Sequence, residues 1–214
     1  GIIGMLGAKL AGVPVRLHTV AGLPLMEAEG KKRQMLETVE KLTYSCATKV
    51  YPNSTVLKDF ILQNKFCGPE KVKVIGNGSS NGINTTFFSR DQLEETQLQE
   101  LKEQLGIGPE DFVFVFIGRL VKDKGVQELV TAFKKLQASY PNIKLLLVGP
   151  FEQDLDPIQD EILQEIEQNP AILSVGFQHD VRPYLAISQA LAFPSYREGF
   201  PNVPMQAGCF GLPS

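Results

Sequence analysis

Long apolar runs, paired cysteines and an excess of charge of either sign are all missing from this sequence. Its longest apolar stretches, Phe112 to Ile117 and Leu145 to Val148, fall far short of the ~18 residues that a membrane-spanning helix needs. Cys46, Cys67 and Cys209 form an odd set with no C-x-x-C pair, which speaks against a disulfide framework and a zinc site and suits a reducing cytosol. With 21 Lys and Arg against 24 Asp and Glu the formal net charge is −3, so there is no electrostatic footprint for nucleic acid. Repeats and low-complexity tracts are absent as well, and no signal peptide is expected. The N-x-S/T matches at Asn53, Asn77 and Asn84 therefore read as chance or as turn and cap chemistry. An initiator Met is lacking too, and Ile2, Ile3, Leu6 and Leu10 already stand at helical spacing, while Gly208 to Ser214 reads as a helix exit. The expectation is a window from a longer polypeptide, poorly soluble and inactive by itself.

What is present is an alternation of short β-rich runs with helical patterns, the signature of βαβ units and parallel sheets. Strands are expected near Val15–Val20, Lys49–Tyr51, Val72–Ile75, Phe112–Ile117, Ile143–Val148, Ile172–Val175 and Leu191–Phe193. Met35, Leu36, Val39, Leu42, Thr43 and Cys46 share one helical stripe, and Val126, Leu129, Val130, Phe133 and Leu136 share another. Asn53-Ser-Thr before Val56, Leu57, Phe60 and Ile61 predicts a capped helix, and Arg90 to Leu105 a charged one. The polar, glycine-rich stretch Gly76-Asn-Gly-Ser-Ser-Asn-Gly82 marks a linker, so two α/β domains are expected, joined near residues 76 to 86.

Gly76-x-Gly78 follows a strand, but position 81 is Asn and Ile83-Asn-Thr-Thr-Phe-Phe opens no helix to receive a pyrophosphate. A nicotinamide oxidoreductase thus lacks its fingerprint. Asp154-Leu-Asp156 matches a metal-holding D-x-D, yet Asp156-Pro157 ahead of Ile158, Ile162 and Leu163 reads better as an N-cap, an N1 proline and a helix. No metal is expected. Gly118-Arg119-Leu-Val-Lys122-Asp-Lys124-Gly125 lies between an apolar strand and a helix start. There the backbone N–H groups, the positive helix end and the Arg119 fork make an anion site, with an exposed charged loop as the plainer alternative. Phe193-Pro-Ser-Tyr-Arg-Glu198-Gly199-Phe200-Pro201-Asn202 passes again from strand to helix. Glu198 can accept two hydroxyl hydrogen bonds from a hexose, Gly199 permits close backbone approach, and the first-turn N–H groups beyond Asn202 can meet a phosphate even though Pro204 lacks one.

Four motifs in order, Gly118-Arg-x4-Lys124-Gly125, Leu147-Val-Gly149, Val175-Gly-Phe177 and Pro194-Ser-Tyr-Arg-Glu198-Gly-Phe, resemble the group 1, or family 4, glycosyltransferases of the GT-B fold. Ala8-Lys-Leu-Ala-Gly-Val-Pro-Val15, Thr19-Val-Ala-Gly22, Tyr51-Pro-Asn-Ser54 and Asn81-Gly-Ile-Asn84 look like the later part of that family's acceptor domain. The bacterial surface-polysaccharide enzymes are the nearest in flavour. The resemblance implies two Rossmann-like domains, each with a parallel sheet flanked by helices and both incomplete: residues 1–80 from the acceptor domain, 81–86 the linker, 87–214 most of the donor domain. It implies retaining transfer of a hexose from a nucleotide diphosphate sugar to an acceptor hydroxyl, in a cleft between domains, with no cofactor and no essential metal. Arg119, Lys124 and Glu198 would carry the catalysis. Gly118, Gly149, Phe177, Gly199, Phe200, Pro201, Asn202 and Gln206 would complete the nucleotide-sugar site.

Two positions depart from the pattern. Gln206 stands where the second acid of the E-x7-E motif belongs, and Ala21 where a histidine is common. His18, nearby, is either an acceptor-side group or a structural histidine; His179 has no catalytic role in this reading. These departures keep a second class open, a non-catalytic sugar-nucleotide binding module. The implied acceptor is a glycan or lipid-linked glycan. Lys31-Lys32-Arg33 is either a contact with anionic lipid or, more simply, a solvated helix face, so the expected place is the cytoplasm, with peripheral contact at the inner face of the membrane left open.

Overall fold

The computed structural model describes every residue except 27, 80–81, 153–155 and 197. The chain divides into two compact units, Gly1–Gly82 with Arg197–Pro201, and Ile83–Tyr196 with Asn202–Ser214. Asn81 and Asp154, both singled out above, lie outside the described residues.

The first unit runs α1 (Ile2–Leu10), β1 (Leu17–Val20), α2 (Gly30–Cys46), β2 (Lys49–Pro52) and α3 (Thr55–Gln63). Parallel neighbours need a crossover, which α2 supplies, and β1 pairs with β2 in parallel from Leu17 beside Lys49 to Val20 beside Pro52. One face of the pair meets the helices in a core of Val20, Leu23, Leu25, Tyr44, Val50, Leu57, Ile61 and Phe66. Ser54 caps α3 by accepting the Leu57 N–H at 3.2 Å, the role the Asn53-Ser-Thr sequence predicts. The expected strand at Val72–Ile75 is reduced to one bridge, Val72 to Val50. A turn closes directly after it, with Gly78 N–H donating to Ile75 O at 3.1 Å and Ser79 N–H to Asn53 O at 2.7 Å.

In the second unit the order is α4 (Glu95–Gln104), β3 (Phe112–Ile117), α5 (Val126–Gln137), β4 (Ile143–Val148), α6 (Asp160–Gln168), β5 (Ile172–Ser174), α7 (Arg182–Ala186), β6 (Ala190–Leu191) and α8 (Asn202–Cys209). The four strands form one parallel sheet in the order β5-β4-β3-β6. Strand residues alternate between two cores, as a period of two requires. Val113, Val115, Ile117, Leu146 and Val148 face Leu98 of α4, Leu185 of α7 and Ala207 of α8, whereas Phe116, Ile143, Leu145 and Leu147 face Val126, Val130 and Phe133 of α5 and Ile166 of α6. Both faces are covered, which explains why β3 and β4 read as unbroken apolar runs.

Three expectations shift. The charged helix expected from Arg90 breaks into a 3-10 turn, Arg90–Gln92, and α4, because Leu93 adopts an extended conformation at φ −120°, ψ 137° and packs against the core. Helix α6 starts at Asp160, with Gln159 rather than Asp156 at its N-cap and no side-chain cap bond. Asp156 is occupied elsewhere, as described below. On the β6 side of β3, Ala190 and Leu191 are the residues that pair among those described, so the expected Leu191–Phe193 strand leaves the sheet earlier and becomes loop.

Candidate functional site

The chain moves from β3 outward through β4 to β5, then returns to place β6 on the other side of β3. This reversal makes the carboxyl ends of β3 and β6 a topological switch point, where open α/β sheets receive their ligands. Both loops singled out in the sequence begin there. Strand order is a long-range property and gave no local signal.

After β3 the loop is anchored by Leu120 and Val121, both fully buried, and by Leu120 N–H donating to Pro150 O at 2.8 Å. Arg119, between Gly118 and these anchors, stays exposed to 44%. Its guanidinium donates to Glu152 Oε2 at 2.8 Å, and that bond, with the nearby Asp123 and Asp156 charges, raises its pKa further. A 3-10 turn, Lys122–Lys124, follows, and Gly125 closes it in the left-handed conformation at φ 70°. A Cβ at Gly125 would lie 2.3 Å from Pro194 O, so conformation and space both demand glycine here. From Gly125 the chain enters α5, whose first N–H groups face the loop end. Lys124 Nζ donates to Ser195 Oγ at 3.3 Å, Tyr196 N–H to Asp123 O at 3.1 Å and Tyr196 OH to Glu128 at 2.9 Å. The loop after β6 is thereby laced to the loop after β3, and two cations sit beside a helix N-terminus, an arrangement suited to a polyanion.

Gly118 and Gly149 close the ends of β3 and β4. Gly118 N–H donates to Val148 O, Gly149 N–H to Gly176 O, and a Cβ on Gly149 would stand 1.8 Å from Gly118 O. Their role visible in the fold is therefore close backbone packing beneath the site. Phe177 is 62% exposed and makes an edge contact with His179 at 5.0 Å. Asn202 opens α8 and Gln206 lies one turn further along it.

Glu198, Gly199, Phe200 and Pro201 group with the first unit. A Cβ at Gly199 would lie 1.9 Å from Ala21 O and 2.6 Å from Asn53 Oδ1, so the close approach that Gly199 permits is to the Ala21 backbone. Asn53 is only 7% exposed, and among the described residues its Oδ1 has no hydrogen-bond partner. Phe200 lies beside Gly78, its ring 3.3 Å from the position of a Cβ there. His18 packs on Tyr44 with ring centroids 5.6 Å apart, and burial lowers its pKa. The expected site residues are thus distributed: Gly118, Arg119, Lys124, Gly149, Phe177, Asn202 and Gln206 in the second unit; His18, Glu198, Gly199, Phe200 and Pro201 in the first. Glu152 and Tyr196, which the sequence did not single out as site groups, join the Arg119–Lys124 loop through Arg119, 33 residues from Glu152, and through Asp123, far from Tyr196 in sequence.

Among the described residues, no helix is long and apolar enough to cross a membrane. The capsular polysaccharide biosynthesis glycosyltransferase CapM of Staphylococcus aureus is 34% identical over 213 residues, covering all of this chain and 54% of CapM. The UDP-Gal:alpha-D-GlcNAc-diphosphoundecaprenol alpha-1,3-galactosyltransferase of Escherichia coli is 26% identical, again over the whole chain and 54% of the relative. This chain therefore spans about half the length of these relatives. Among solved structures, Alr3699/HepE of Anabaena in complex with UDP superposes with a TM-score of 0.77 at 22% identity, over 99% of this chain and 55% of that one. WaaG, a glycosyltransferase involved in lipopolysaccharide biosynthesis, gives 0.73 at 16%, over 98% and 61%. These likenesses establish the GT-B fold. Residues 97–214, more than half of the chain, match the family model for glycosyl transferases group 1, and with the switch-point loops in that segment the chain belongs to the group 1 glycosyltransferases.

Proposed function

We propose that the protein carrying this chain transfers a hexose, with retention, from a nucleotide diphosphate sugar to an acceptor hydroxyl in the assembly of a cell-surface polysaccharide, without a metal or a cofactor. The observation that carries the reading is the pairing of Arg119 and Lys124 on one anchored loop at the switch point, beside the N-terminus of α5. When the bond between the sugar's anomeric carbon and the β-phosphate oxygen breaks, negative charge grows on the departing diphosphate. Cations held in place before the reaction stabilise that charge without reorganising. Arg119 would release Glu152 to fork onto phosphate oxygens, and Lys124 would add a point charge. Glu198, with backbone help from Gly199 to Asn202, would accept hydrogen bonds from the donor sugar's hydroxyls, and Gln206 would accept from the ribose through its amide oxygen. The Anabaena protein in complex with UDP-glucose and the diphosphoundecaprenol acceptor in the name of the E. coli relative support a nucleotide-sugar donor and a lipid-linked glycan acceptor.

Ala21 and Gln206 favour a second reading, a sugar-nucleotide binding module without turnover. Titrating the protein as its gene encodes it with a panel of nucleotide sugars, and assaying nucleotide release, separates the two. The transferase reading expects binding and turnover that both fall in Arg119→Ala. Tight binding with no turnover in any acceptor extract would leave the module; no binding at all would remove both.

A further inference from the structure

We propose that Asp156 is a positioning residue for Lys124, acting through the backbone of Asp123; the inference rests on Lys124 being a diphosphate ligand. The 3-10 turn Lys122–Lys124 has no side-chain cap from its own N-terminus. Asp156, 33 residues later and on the far side of β4, takes that place. Its Oδ2 accepts the Asp123 N–H at 2.6 Å, and its carbonyl accepts the Lys122 N–H at 3.4 Å. Two of the donors that a helical turn leaves unsatisfied are thereby met by one residue.

Asp156 is itself fastened. Pro157 restricts the backbone next to it, Ile158 is 3% exposed, and Gln159 N–H donates to Oε1 of the buried Gln127 on α5 at 3.0 Å. From the opposite side Tyr196 N–H donates to Asp123 O at 3.1 Å. Asp123 is therefore gripped at its N–H by Asp156 and at its C=O by Tyr196, while Gly125 fixes the exit. Lys124, between these holds, keeps only its side-chain torsions to place the ammonium. Release of the Asp156 grip frees the Lys122–Asp123 peptide to rotate and carries Lys124 with it.

The duty is geometric rather than electrostatic. A carboxylate this near Arg119 repels an anionic ligand, and an amide oxygen would accept the same N–H without that repulsion. Asp156→Asn is therefore expected to preserve function where Asp156→Ala does not.

The test measures binding of UDP, GDP and ADP by calorimetry to the protein as its gene encodes it, in wild type, K124A, D156A, D156N and K124A/D156A, with melting temperatures alongside. For the tightest of the three nucleotides, K124A weakens binding, D156A weakens it by about tenfold with the melting temperature held, and D156N stays within about twofold of wild type or improves on it. The double variant binds no more weakly than K124A alone, because Asp156 acts through a cation already removed. Full additivity in the double variant, a D156N as weak as D156A, an unchanged D156A, or a D156A chain that does not fold would each overturn the proposal. If no nucleotide binds, or K124A binds as wild type does, the reading of Lys124 as a diphosphate ligand falls first and this inference with it.

Discussion

The two units are built from the same alternation of strand and helix, yet they bury it differently. In the second, β3 and β4 pack on helices from both sides, and the two cores share the strands residue by residue. In the first, β1 and β2 pack with the helices of this chain in a single core, and within these residues Leu17, Ile75 and, on α1, Ile3 and Leu10 are exposed. A parallel sheet is stable when both faces are covered, and the sheet of the second unit meets that condition within this chain. The cationic loop grows from that sheet, with Leu120 and Val121 buried. Placing charges to a fraction of an ångström requires such a base, because small displacements of a binding group are expensive in rate.

The contrast can be broken or sharpened by experiment. Leu146→Ala, in the sheet packed on both faces, is expected to lower unfolding free energy by ~3–5 kcal/mol, and Leu57→Ala, in the single core of the first unit, by ~2–3 kcal/mol; denaturant titration reads both, and a reversed order would break the comparison. Arg119→Ala should lower kcat by ~10²- to 10³-fold while stability changes little. An equal loss in His18→Ala would move chemistry into the first unit. Ser54→Ala removes the α3 cap and should cost ~1 kcal/mol, seen as faster hydrogen exchange confined to the first unit. The smallest effect is a pH dependence. Burial lowers the native pKa of His18 below its ordinary 6.5, so the unfolded chain binds the proton more readily. Its share of stability is complete above about pH 6.5 and is lost as pH falls from there through the lowered native value. Melting temperatures of His18→Gln should be flatter than wild type across that window, and a steeper profile would show the imidazole to be charged in the native state.

Local features were legible from the sequence because local physics makes them. The apolar runs of β3 and β4, the α5 stripe and the Ser54 cap depend on neighbours within a few residues, and all stand where expected. Features set by distant partners were not. Asp156 looked like an N-cap for the helix after it, since Asp-Pro before an apolar stripe carries that signal; only the adjacency of β3 and β4 shows that its carboxylate serves a turn 33 residues earlier. The bond from Arg119 to Glu152 depends on the same adjacency. For Gly149 and Gly199 the sequence located the residue, but the approach it permits is to another part of the backbone, Gly118 O and Ala21 O respectively.

The contact beneath Gly149 has a genetic consequence. Every missense change of a glycine codon introduces a Cβ, and at Gly149 that atom would lie 1.8 Å from Gly118 O, so the position has no viable neighbour in sequence space. Phe177, a few residues beyond the next strand and largely in solvent, has many. A library that randomises both should return glycine alone at the first and a broad spectrum at the second. Variation here would then exchange side chains over a backbone that mutation cannot redraw.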